Sequence, residues 1–212
     1  MVFSLRQWIA CLAVCTSGSV LAQLCVFEQL PSQQGAALSD ASGIVPSQRL
    51  ADNFSLSTTD TIGRVEFWGE YTTNNPESDS FTIDFYENTG GLPGTLLSSL
   101  SIESITREMT GQTFGILDEY LYSAQLPEAF TAVADESYFI SITNDTNSGA
   151  TNSWSWAYSI GGAPSAIIGA LGDRSWRPFL GDGLSFRLIT VPSPSTAALL
   201  GIAVLAQGRR RR

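Results

Sequence analysis

The sequence predicts an all-β protein, an antiparallel β-sandwich or jelly-roll-like fold, with a signal helix before it and an apolar helix after it. Three observations carry this. Apolar and polar residues alternate with a period of two in short runs. Gly, Asn, Ser and Pro separate those runs, and no long apolar pattern of period 3.6 occurs outside the two ends of the chain. Strands patterned in this way bury one face and wet the other, as two packed antiparallel sheets require.

Taken in order, the expected strands are 51–57, 65–71, 81–87, 96–106, 119–126, 129–133, 138–143, 153–159 and 184–190. The clearest alternation is in Val65-Glu66-Phe67-Trp68-Gly69-Glu70-Tyr71, in Phe81 to Glu87 and in Tyr138 to Thr143. Asn88-Thr89-Gly90-Gly91-Leu92-Pro93-Gly94 should reverse the chain, because its glycines take positive φ without penalty. A chain of 212 residues with 43% hydrophobic residues can build one domain with a real core. Three regions are expected: a signal peptide (1–22), the sandwich (23–190) and a tail (191–212).

Charge narrows the function. Every basic residue is Arg, and 4 of the 11 close the chain as Arg209, Arg210, Arg211 and Arg212. Residues 23–190 keep 6 Arg against all 20 Asp and Glu, a formal charge of −14. Such a body repels phosphate backbones, which argues against nucleic acid as a partner.

The leader has the three parts of an export signal. Arg6 gives the positive start, Trp8 to Val14 a short apolar core, and Val20-Leu21-Ala22 the small or β-branched residues before a cut between Ala22 and Gln23. The partners implied are the export machinery and signal peptidase. Cys11 and Cys15 would leave with the leader, so Cys25 alone remains and no internal disulfide can form.

The tail has an equally ordered layout. Val191-Pro192-Ser193-Pro194-Ser195-Thr196 is held extended by its prolines, an apolar run follows, and the arginines end it. As a helix, Ser195 to Gly208 would span about 21 Å at 1.5 Å per residue. That is short against a hydrocarbon layer of about 30 Å, which suits transient inner-membrane anchoring. The arginines would stay on the cytoplasmic side. This ending resembles the PEP-CTERM sorting signal of bacterial exosortase substrates. Val191, Pro192, Pro194, Ser195, Thr196 and the arginines match, and Ser193 stands where that family has Glu. The resemblance implies processing by an exosortase-like enzyme and delivery to the envelope surface or an exopolysaccharide-rich biofilm matrix. Asp84-Phe85-Tyr86-Glu87 with Gly90-Gly91-Leu92-Pro93-Gly94 is similar to a β-sandwich segment of secreted bacterial proteins with such tails. That similarity implies no activity.

Catalysis finds little support in the body. Without His, the usual Ser-His-Asp and Cys-His arrangements are excluded. Neither Asp84 with Glu87 nor Asp118 with Glu119 has the i, i+2 spacing that puts two carboxylates on one face of a strand. The chain is therefore read as non-enzymatic and without a cofactor. Two binding readings stand beside this. Asn144 and Asp145 offer oxygens to a structural calcium ion. Trp154, Trp156 and Tyr158 form a row at i, i+2, i+4. On the surface that row would stack sugar rings and make the body a carbohydrate-binding module; turned inward it would be core.

Overall fold

The structure, a computed structural model, describes residues 23–42, 48–74, 79–146, 152–161, 165–168, 175–179 and 182–191. Alternation in the sequence becomes strands almost throughout. In chain order these are β1 (Cys25–Gln29), β2 (Pro31–Leu38), β3 (Arg49–Ser55), β4 (Asp60–Tyr71), β5 (Phe81–Thr89), β6 (Leu92–Ser101) and β7 (Ser104–Phe114). There follow β8 (Leu117–Ala132), β9 (Ser137–Asn144), β10 (Trp154–Ser159), β11 (Ala166–Ile168), β12 (Arg177–Pro178) and β13 (Phe186–Thr190). Among the described residues there is no helix. The helices expected in 1–22 and 191–212 lie outside them, apart from Val191, whose amide donates to Thr61 O at 3.1 Å.

The strands form two antiparallel sheets. β4 is the hub of the larger one. β8 runs along one edge of β4, from Asp60 opposite Ala132 to Glu70 opposite Glu119. β13 and β10 share its other edge, β13 pairing with Ile62 to Phe67 and β10 with Gly69 to Tyr71. Beyond these lie β1 on β13, β2 on β10 and β7 on β8. The smaller sheet has the order β12-β11-β3-β9-β5-β6. Its β5–β6 reversal is the turn expected from the sequence: Gly90 and Gly91 take φ of 66° and 85°, and Asn88 Oδ1 accepts the Gly91 amide at 2.9 Å.

The two sheets face each other across an aromatic core. Phe67 of β4 stacks on Tyr122 of β8 at 5.1 Å and meets Phe81 of β5 edge-on at 5.0 Å. Phe85 of β5 stacks on Phe130 of β8 at 4.1 Å. Burying each such side chain contributes about 1.5–3 kcal/mol, so this layer supplies most of the drive to fold. One carboxylate lies deep in it: Asp52 of β3 accepts the Leu184 amide at 2.6 Å and the Asn53 amide at 2.8 Å. Desolvation nonetheless pushes its carboxyl up to about 7.

Several boundaries differ from expectation. The run 96–106 is divided between β6 and β7, because Ile102 turns inward and is buried between them. The runs 119–126 and 129–133 are one long β8, continuous through Pro127, since β4 pairs with both halves. β1, β2, β11 and β12 were not anticipated. They are short or, in β2, interrupted by a bulge, and neither case leaves a clean period of two.

Candidate functional site

The tryptophan row proves to be core. Trp154 and Trp156 do face the same way, but inward, and each is 0% exposed. Trp154 meets Phe67, Phe81 and Tyr122 edge-on. Trp156 donates its indole N–H to Ser185 O at 2.9 Å. A ring with no open face cannot stack on a sugar, so these two residues are no glycan platform. Tyr158 is half-buried against Phe179. The calcium candidates also have other work: Asn144 is buried, donates to Tyr71 Oη at 3.2 Å and accepts the Ser80 amide at 2.8 Å. Asp145 is exposed and its amide donates to Ser80 O.

What the structure brings together is on the opposite face of the larger sheet. Since Val65, Phe67 and Tyr71 point into the core, Glu66, Trp68 and Glu70 point outward. Glu70 stands directly opposite Glu119 of β8, on the same outer face. Residues so placed have Cβ atoms about 4.5–5.5 Å apart. An outward strand face would normally leave two glutamates in water, yet Glu70 is 8% exposed and Glu119 6%.

Two bulges explain the burial. On β7, Met109 pairs with Tyr120 and Thr113 with Asp118, so residues 110–112 stand opposite Glu119 alone. Gly111, at φ 78°, permits this loop within the strand. It delivers the Thr110 hydroxyl to Glu119 Oε1 at 2.9 Å. On β2, Ala36 pairs with Ala157 and Pro31 with Ser159, so residues 32–35 stand opposite Tyr158 alone. Here Gln33 takes φ 60° and its Nε2 donates to Glu119 Oε2 at 2.8 Å. The bulges meet where the Phe114 ring lies against Gly35, leaving 3.2 Å to the Cβ that a larger residue would carry there. A strand from each flank thus closes over the pair.

The two carboxylates are served unequally. Glu119 has a donor on each oxygen. Among the described residues no donor reaches Glu70. Burial first, and then the charge of Glu119, push the Glu70 carboxyl up to about 7. Two carboxylates held this close attract a counter-ion. The nearby arginines do not supply one. Arg64 pairs with Glu66 at 3.4 Å, and Arg187 lies over the Trp68 ring at 4.9 Å while pairing with Glu28 and Glu66.

Reading along single strands misses this pair. Asp84 and Glu87 do fall on opposite faces of β5, as the spacing requires, and so do Asp118 and Glu119 on β8. The pair that forms joins two strands, and only the β4–β8 register reveals it. Of the targeting residues, Ala22 and 192–212 lie outside the described residues; Gln23 is exposed.

A family profile described as a domain of unknown function (DUF7901) matches residues 25–163, the stretch that carries β1 to β10 and both glutamates. The chain belongs to that family. No curated protein matches it.

Proposed function

We propose that this member of the DUF7901 family is a non-enzymatic, exported protein of the cell surface or extracellular matrix. Its leader would be removed between Ala22 and Gln23. Its tail, from Val191 through Pro192, Pro194, Ser195 and Thr196 to the terminal arginines, would hold it briefly at the inner membrane for an exosortase-like enzyme. Its destination would be the envelope or an exopolysaccharide matrix. One structural observation supports a tethered body above the others. β1 and β13 pair antiparallel, so the described chain enters and leaves the sandwich at one end, where the Thr190 amide donates to Leu24 O at 2.9 Å. Along β4, the β7–β8 hairpin lies at the other end.

The test is the intact mass of the native protein, recovered separately from envelope and culture medium. A chain starting at Gln23 and lacking Arg209 to Arg212 is the expected product. A cytoplasmic chain running from Met1 to Arg212 refutes both signals at once.

Glycan binding remains as a second reading on a different surface. On the outer face of the smaller sheet, partly buried Trp176 meets Tyr86 edge-on at 5.6 Å, beside Asp84 and Arg49 paired at 3.6 Å. Aromatic and charged groups in such proximity suit a sugar. Titration with polysaccharides followed by tryptophan fluorescence tests it: a shift that Trp176→Ala abolishes supports binding, and an unchanged spectrum with every glycan removes it.

A further inference from the structure

We propose that the Glu70–Glu119 pair, enclosed by the bulges of β2 and β7, is a binding site for a hard divalent cation of the calcium class. The proposal is independent of the export reading. Hard cations of this kind take six to eight oxygen ligands at 2.3–2.6 Å, from carboxylates, amides and hydroxyls. The site gathers that chemistry from four segments of the chain. Glu70 and Glu119 supply two carboxylates held opposite each other by strand pairing. Thr110 brings its hydroxyl to within 2.9 Å of Glu119 Oε1, and Gln33 its carboxamide to within 2.8 Å of Glu119 Oε2. With Gln33 turned to present its oxygen, these side chains offer six oxygens, two from each glutamate and one each from Gln33 and Thr110.

The number of acids is not what points to a ligand. Glu70 is more than nine-tenths buried, faces a second carboxylate, and among the described residues receives no hydrogen bond and no ion pair. Buried carboxylates are otherwise paired or metal-bound. Every other charged group on the outer face of β4 has its partner: Arg64 and Arg187 engage Glu66, and Arg187 also engages Glu28. The bulges point the same way. Each places extra residues opposite one position of the neighbouring strand, and each directs a side-chain oxygen or amide to Glu119. Bulges commonly re-aim side chains in this manner beside functional sites. A cation here would fasten β2 and β7 across the hub strand.

Terbium, which takes the place of calcium in oxygen sites, provides the test. Trp68 lies two residues from Glu70 on the same outer face, within range to sensitise terbium emission. Titrating Tb3+ into the purified full-length chain should give saturable emission at one ion per chain, displaced by Ca2+. Glu70→Gln, near-isosteric and carrying no charge, should weaken binding at least tenfold with the far-UV circular dichroism unchanged. Gln33→Ala, which alters no core residue, should weaken it several-fold and decides the matter if Glu70→Gln does not fold. Absence of saturable emission from the folded chain overturns the proposal. So does binding that neither substitution weakens, which would place the ion at other carboxylates.

Discussion

The two faces of β4 follow opposite rules, although their residues alternate along one strand. The inner face, Val65, Phe67 and Tyr71, is buried by another sheet, and its neighbours are rings: Phe81, Tyr122 and Trp154 around Phe67. On the outer face, Trp68 and Glu70 are buried and Glu66 partly so, by bulges and long side chains, and their neighbours are charged or polar. Burial by a complementary apolar layer stabilises without further conditions. Burial by a strap of backbone encloses whatever lies beneath it, including the Glu70 carboxylate, to which no donor is directed among the described residues. Sheet packing makes the core, and strand irregularity makes the site.

Substitutions on each face put that contrast to the test. Trp154→Ala should have the largest effect, a loss of about 3–5 kcal/mol read from urea denaturation, because it empties the centre of the inner layer. A loss below 1 kcal/mol would mean that the rings are not packed as described. Next comes pH, acting through Asp52. The folded state holds this proton up to about pH 7, while the unfolded chain releases it near the usual carboxylate value of about 4. Between these values the native state binds more protons, so stability falls as pH rises. Denaturation midpoints should therefore decline between pH 5 and pH 8, with Asp52 and Glu70 both contributing, and Asp52→Asn should remove the Asp52 share, about 2–3 kcal/mol.

Gly69→Ala should cost about 1–3 kcal/mol, because the new methyl group would stand 2.5 Å from the Trp154 ring and 2.6 Å from Ser155 O. A neutral result would show that the hub and β10 are more loosely apposed than these distances imply. On the outer face, Arg187→Ala should cost about 1 kcal/mol, the combined value of a stacked guanidinium and partly exposed ion pairs. The smallest effect should be a gain. In cation-free buffer at pH 8, Glu70→Gln should raise thermal stability by about 0.5–1 kcal/mol, since it removes a like charge directly opposite Glu119. Added Ca2+ should then stabilise the parent protein and leave this variant unchanged.

The sequence made the strands legible where alternation was clean, and β4, β5 and β9 lie where Val65, Phe81 and Tyr138 placed them. It also put Trp154 and Trp156 on one face, correctly. Period two says which residues share a face and not which face is covered, so the choice between core and surface waited on the second sheet. The site was hidden for a different reason. Glu70 and Glu119 each read as an ordinary outward charge, and their meeting depends on a register set between segments distant in sequence. The bulges were less visible still: Ser32-Gln33-Gln34-Gly35 has the composition of a surface loop, and its interruption of β2 removed the strand from view.

The place of β13 in the larger sheet has a consequence for the timing of folding. Among the described residues β1, the first strand, pairs with β13, the last, and with no other, and β13 in turn fills the gap between β1 and the hub. As the chain is synthesised from its N-terminus, β1 therefore waits for the strand it pairs with until Phe186 to Thr190 have followed it. The larger sheet closes at its β1 edge only when nearly the whole body has been made, and the two ends of the body are locked in a single late step.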